Sequence, residues 1–303
     1  MTTLTHTEQY EEGDDDSSGS VEGAIARSMF RTETDDEEDD TDNVNSCSPP
    51  LSTAMFVERH VMDICLCERQ MGSSIAERLW PAAQYLAQFV MDVQDGSAWQ
   101  QKEMSDYDNC DTRAAVQQLL ESGNSLRIIE LGAGVGLTGI QLATRFDTQV
   151  LITDLPEAMP LLKRNIQLNR KKFRAGPDAV QARVLAWGNE DHASQVVQEW
   201  QSPDCPVLVL ASDCVYYAEL HLPLEQTLAT LLSNAPKGSV CLIAGARRWK
   251  RDTKFYAKLG KATRSATHCL STTVLKETFT RNDQQGRQIM RLYCVQWLPR
   301  SDR

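Results

Sequence analysis

The 303-residue sequence has no apolar run long enough to cross a bilayer as a helix, which argues against a membrane-spanning protein. Its opening MTTLTHTEQYEEGDDD has neither the basic start nor the apolar stretch of a signal peptide. The expectation is a cytoplasmic protein with the nucleus open to it. Nine cysteines are present, but no CxxC pair and no Cys/His pair at zinc spacing. Cys65 and Cys67 stand one residue apart on an expected strand. The thiols are read as reduced and mostly buried, and no metal site is expected.

The basic residues are nearly missing from the first fifty positions. That stretch holds 15 Asp and Glu against 2 Lys and Arg, a charge of −13, so the rest of the chain carries +2 of the total −11. Residues 1–50 are therefore read as a disordered acidic tail, ending at Pro49 and Pro50. Too few apolar side chains stand there to offset the entropy of ordering. The domain behind the tail is close to neutral, and its expected substrate is not nucleic acid.

Apolar spacing over 54–67 favours strands, and over 76–91 a helix. Residues 92–110 are polar and patternless, which suggests an exposed insertion. A short helix over 112–120 completes an extension spanning 51–125. From 126 the pattern alternates. Strands are expected at 126–131, 149–153, 182–186, 207–210 and 239–244. Helices are expected at 138–145, 157–169, 222–232 and 253–261. Two last strands, near 275–280 and 289–297, are joined by a polar link suited to a hairpin. The pattern implies a doubly wound α/β sheet over 126–303.

Glu130-Leu131-Gly132-Ala133-Gly134-Val135-Gly136-Leu137-Thr138-Gly139 follows an expected strand and opens an expected helix. Glycines permit the tight turn and a close ligand approach, and the free N–H groups at the helix start favour polar or anionic groups. Twenty residues beyond Gly134, Asp154 ends the next strand, where a carboxylate can accept both ribose hydroxyls of an adenosine. The constellation fits S-adenosylmethionine or NAD. Glu130 stands where a dinucleotide fold usually has a small apolar residue, and is placed to meet the ammonium of a methionine moiety. The ending suits a hairpin rather than a substrate domain, and the chain lacks a YxxxK pair. These features favour S-adenosylmethionine over a hydride-transferring oxidoreductase.

Further strings are Leu79-Trp80-Pro81-Ala82-Ala83, Thr153-Asp154-Leu155-Pro156 with Asn165 and Asn169 beyond, Ala186-Trp187-Gly188, and Ala211-Ser212-Asp213-Cys214-Val215-Tyr216-Tyr217. With the glycine turn, and in this order, they resemble the seven-β-strand protein-lysine methyltransferases of methyltransferase family 16. That family includes the enzymes that modify heat-shock chaperones and the valosin-containing protein. The DxxY string from Asp213 to Tyr216 is the most specific piece. The resemblance implies a class I, Rossmann-like S-adenosylmethionine-dependent methyltransferase. Its sheet would be seven-stranded and mostly parallel, with a C-terminal antiparallel hairpin. It implies that Trp80 and Trp187 flank the cofactor, Trp187 near the adenine. Gly132, Ala133 and Gly134 would line the methionine and ribose, and Asp154 would hold the ribose. Ser212 stands where many members have alanine. Asp213 and Tyr216 would be the catalytic pair, acting on a lysine of a protein such as a chaperone, an ATPase or a translation factor. The chain is expected to work as a monomer.

Other readings stay open on the sequence alone: methylation of histidine, arginine or a small molecule, a noncatalytic binding module, or the oxidoreductase. Residues 247–261 hold seven basic residues and one acid. They read as a solvated helix, or as a docking surface for an acidic protein patch or for the tail.

Overall fold

The computed structural model describes residues 56–69, 75–99, 110–121, 126–247, 250–282 and 286–300. All of these lie in the unit Pro50–Arg303. The acidic stretch 1–50, expected to be disordered, lies outside the described residues, as does the polar stretch 100–109.

The expected strands over 54–67 are a hairpin. β1 (Phe56–Val61) runs antiparallel to β2 (Ile64–Arg69), with Val61 opposite Ile64. Helix α1 (Pro81–Gln94) begins five residues later than the apolar spacing suggests. Trp80 stays extended at its N-cap and Pro81 takes the first helical position, where a missing N–H costs nothing. Ile75–Glu77 forms a separate 3₁₀ turn before it. The insertion expected as exposed from residue 92 begins inside α1 and is tied down through Trp99. Val93 and Ala98 are buried. The Trp99 ring meets Phe89 edge-on at 5.4 Å between centroids. Arg113, on α2 (Cys110–Glu121), lies over the Trp99 ring at 5.2 Å.

The alternation then runs β3 (Arg127–Leu131), α3 (Leu137–Arg145), β4 (Gln149–Asp154), α4 (Met159–Asn169), β5 (Val180–Val184), α5 (Glu190–Trp200), β6 (Val207–Ser212), α6 (His221–Ser233), β7 (Val240–Ala246), α7 (Lys250–Lys258), β8 (His268–Asn282) and β9 (Gly286–Pro299). The sheet order is β5-β4-β3-β6-β7-β9-β8. The strands β3 to β7 are parallel, and β9 is antiparallel to both β7 and β8. This is the mostly parallel seven-stranded sheet with an antiparallel ending that the sequence implied. The central strands β3, β4, β6 and β7 are mostly apolar and buried because helices cover both faces. Leu208 and Leu210 point to the layer of α1, α3 and α4, while Val207, Val209 and Ala211 point to that of α5, α6 and α7.

Helix α5 has no counterpart in the expected elements. Its short apolar stripe, Ala193, Val196 and Trp200, is buried, and Asn189 caps it by accepting the His192 N–H at 2.9 Å.

Two asparagines of α4 hold the hairpin onto the domain. Asn165 Oδ1 accepts the Cys67 N–H at 2.8 Å, and its Nδ2 donates to the Cys67 carbonyl at 3.0 Å. Asn169 repeats the pattern on Cys65, at 2.9 and 2.6 Å. The two amides pair with the edge of β2 as a neighbouring strand would. Asn165 also donates to the Val135 carbonyl at 2.8 Å, so the hairpin is coupled to the glycine turn.

Candidate active site

β3 lies between β4 and β6, so the chain leaves its carboxyl end toward one side of the sheet first and the other later. Open α/β sheets bind ligands in the crevice at such a reversal. Apart from Trp80, the site residues singled out by the sequence lie at the carboxyl ends of β3, β4 and β6 or in the loops after β3, β5 and β6.

The turn after β3 has three glycines at positive φ: Gly132 at 58°, Gly134 at 56° and Gly136 at 81°. At Gly132 a side chain is also excluded by its neighbours. A Cβ there would lie 2.8 Å from the Trp187 ring and 3.1 Å from Cys214 Sγ. At Gly134 it would lie 3.1 Å from the Ala76 carbonyl oxygen, so the 3₁₀ turn before α1 covers the glycine turn. Ala133 is buried, and its N–H donates to the Thr153 carbonyl at 3.0 Å. Trp80 closes the covering segment by donating its indole N–H to the Ile75 carbonyl at 3.0 Å.

Asp154, at the end of β4, is 9 % exposed. Its Oδ2 accepts the Gly134 N–H and its Oδ1 the Leu155 N–H, both at 2.7 Å. Burial pushes the carboxyl above the usual carboxylate range, against the pull of those two donors. Each oxygen keeps a second lone pair for a ligand.

Glu130 is 1 % exposed. Its Oε2 accepts the Gly139 N–H at 2.7 Å. Gly136 offers helix α3 no side-chain cap, so Glu130 supplies the acceptor that the helix start needs. Among the described residues no hydrogen-bond partner is found for its buried Oε1. Burial raises its carboxyl to about 7. A buried carboxylate oxygen left open beside a positive-φ glycine turn fits a ligand ammonium.

Across the crevice, β6 ends at Ser212, which pairs with Ala244 of β7. Asp213 then takes a left-handed conformation with φ 59°, held by its N–H donating to the Ala244 carbonyl at 2.8 Å. A non-glycine residue there is uncommon, although aspartate tolerates it better than most. Cys214 turns inward, its thiol donating to the Leu131 carbonyl at 3.4 Å. Burial raises that thiol, and the Asp154, Asp213 and Glu130 carboxyls add to the effect. The Tyr216 hydroxyl is also raised, mainly by burial, then by Cys214 and Asp154. Its ring packs against Tyr217 with centroids 4.8 Å apart.

The structure thus brings together Glu130, Gly132, Ala133, Gly134, Asp154, Trp187, Ser212, Asp213 and Tyr216. Trp80 belongs to the covering segment on the Gly134 side. The sequence reading missed the pair Tyr256 and Tyr293. Their rings stack at 3.5 Å and 9°, and with Asp213, Gly245 and Arg291 they line one pocket. The only signal was a tyrosine within the basic stretch and another on the last strand. Among the described residues no cluster of His, Cys, Asp and Glu could hold a metal ion, and no helix is long and apolar enough to cross a membrane.

Sheet order, glycine turn and acid at the end of the next strand are those of the class I S-adenosylmethionine-dependent methyltransferases. The chain belongs to the lysine methyltransferase family, whose model matches residues 61–262. Among its relatives, protein-lysine N-methyltransferase EFM6 of Saccharomyces cerevisiae is 38 % identical over 140 residues, 44 % of this chain and 54 % of that protein. METTL21A of Mus musculus, a protein N-lysine methyltransferase, is 37 % identical over 131 residues, 43 % of this chain and 54 % of that one. The chain spans about half the length of these relatives. A solved structure from Streptococcus mutans, provisionally assigned as a SAM-dependent methyltransferase, shares the fold. Its TM-score is 0.50 at 8 % identity, covering 83 % of this chain and 57 % of that one.

Proposed function

We propose that this protein binds S-adenosylmethionine and methylates the Nε of a lysine in a protein substrate. The observation that carries this reading is the left-handed Asp213, which follows β6 and precedes Cys214, whose thiol lies against Gly132 of the glycine turn and donates to the Leu131 carbonyl. A carboxylate there can orient an acceptor beside a cofactor cradle.

The cradle suits the cofactor. The glycine turn leaves its backbone bare. Asp154 has lone pairs for two ribose hydroxyls, and the unpartnered Glu130 Oε1 can take the ammonium. Trp187, against Gly132, offers a flat apolar face. When bound, the cofactor supplies a methyl group activated on a sulfonium, so no metal is needed.

The chain's own residues position the acceptor. A free lysine has a pKa of about 10.4, so roughly one in a thousand is neutral near pH 7. Desolvation in the crevice favours the neutral amine, whereas the Asp213 carboxylate favours the ammonium. Asp213 therefore orients the incoming nitrogen rather than acting as a strong base. The half-buried Tyr216 ring walls the approach and attracts the cation by its face. Most of the rate gain is positioning. In the basic segment Lys254, Lys258 and Lys261 are exposed, as is Arg264 just beyond it. They form no ion pair among the described residues, which supports a substrate with acidic residues near its target lysine.

Calorimetry with S-adenosylmethionine and with NAD tests the cofactor: tight binding of the first and none of the second is expected. Tight NAD binding would overturn the reading.

A further inference from the structure

Gly245 is a glycine that the backbone does not require. Gly96, Gly132, Gly134, Gly136, Gly176, Gly188, Gly238 and Gly260 sit at positive φ, and a Cβ at Gly139 would lie within 3 Å of its neighbours. Gly245 lies on β7 with an ordinary φ. A Cβ built there meets one atom within 4 Å, Asp213 Oδ1 at 3.9 Å. A glycine inside a strand costs stability and commonly marks a close approach by a ligand. The missing side chain leaves a clearing directly in front of the Asp213 carboxylate. Val215, Tyr256 and Tyr293 wall it, and Arg291, opposite Gly245 on β9, lines it while paired with Glu277.

We infer that this clearing seats the acceptor nitrogen, and that Gly245 determines specificity by setting how many methyl groups that nitrogen can carry. The inference rests on the proposed lysine methylation and adds a residue to the same site. Before each transfer one proton leaves the nitrogen for solvent. Its lone pair then forms the new C–N bond while the C–S bond of the sulfonium donor breaks, its electrons staying on sulfur. Every transfer adds a methyl group that must fit between Asp213 and the strand. A Cβ at 245 takes that space and meets no atom of the glycine turn or of Asp154 within 4 Å.

Two readouts test this on the full chain. The first is saturation-transfer NMR without cofactor, using Nα-acetyl-Nε-trimethyl-lysine amide as probe. The wild type binds it and Gly245→Val loses the signal. The second is isotope-labelled methyl transfer into lysate proteins, with mono-, di- and trimethyl-lysine quantified after hydrolysis. Gly245→Val should cut total transfer about ten-fold or more, and Gly245→Ala should deplete the most methylated form. S-adenosylmethionine affinity should stay within about two-fold in both, since cofactor groups are untouched. Wild-type probe binding, rate and product distribution in Gly245→Val would overturn the inference. Failure of the wild type itself to label any lysine would instead overturn the lysine reading beneath it.

Discussion

The Gly134 N–H donates to Asp154 Oδ2 at 2.7 Å, so the glycine turn and the ribose-side acid form one unit. On the proposed reading Asp154 both shapes the cofactor site and contacts the ligand. Asp154→Ala should weaken S-adenosylmethionine binding by about ten-fold or more, because a charged acceptor and the support of the turn are lost together. Calorimetry reads this, with circular dichroism on the same sample to show folding. Unchanged affinity in a folded variant would remove Asp154 from the site.

On the proposed reading Asp213 acts on the acceptor side. Asp213→Asn keeps the shape and tolerates the left-handed backbone, whereas Asp213→Ala adds strain at φ 59°. Asp213→Asn should lower methyl transfer about a hundred-fold and leave cofactor affinity within a few-fold. Tyr216→Phe, which keeps the ring face, should do less harm. Single-turnover transfer beside a cofactor titration checks both. A loss of cofactor affinity equal to the loss of rate would place Asp213 on the cofactor instead.

Glu130 gives the fold a pH dependence. Burial raises its carboxyl to about 7 in the folded protein, from 4.5. A raised acid means that the folded state holds the proton more tightly than the unfolded chain. Its contribution is complete below about pH 4.5, is lost as pH rises through 7, and is flat beyond. The loss is on the order of 3 kcal/mol. Glu130→Gln should flatten this part of the melting temperature curve between pH 5 and 8, measured without cofactor. A wild type and variant with parallel curves would contradict it.

Asn165 tests the hairpin coupling. Asn165→Ala leaves the Cys67 N–H and two buried carbonyls, those of Cys67 and Val135, short of a partner. The expected cost is about 2–4 kcal/mol in chemical denaturation. Asn165→Asp should also destabilise, since it restores the acceptor but no donor and buries a charge. A neutral Asn165→Ala would show that the hairpin is held by packing alone.

The central sheet was legible because strands buried on both faces are written as short apolar runs. The glycine turn, Asp154 and the Asp213–Tyr216 string are local in sequence and were read as such. Helix α5 was missed because its buried face is only Ala193, Val196 and Trp200 among polar neighbours, although Asn189 stood at the cap position. β8 begins at His268, before the run expected from 275, and the miss arose because SATHCLSTTV has only four apolar residues in ten. The Tyr256–Tyr293 stack joins residues 37 positions apart on different elements, and no local pattern foretells it. Glu225 is a similar case. Its Oε1 accepts N–H groups from Gly260, Ala262 and Thr263, anchoring the loop that follows the basic helix. The left-handed Asp213 and the helix-capping bond of Glu130 depend on tertiary neighbours, so sequence could name these residues but not their geometry.

The most direct test is transfer of isotope-labelled methyl groups from S-adenosylmethionine into lysate proteins, with the modified residue located by mass spectrometry. The wild-type chain should place label on lysine Nε of a protein, and Asp213→Asn should leave that site nearly unlabelled while still binding the cofactor. Label on histidine, arginine or a small molecule, or none from a wild type that binds S-adenosylmethionine tightly, would contradict the assignment.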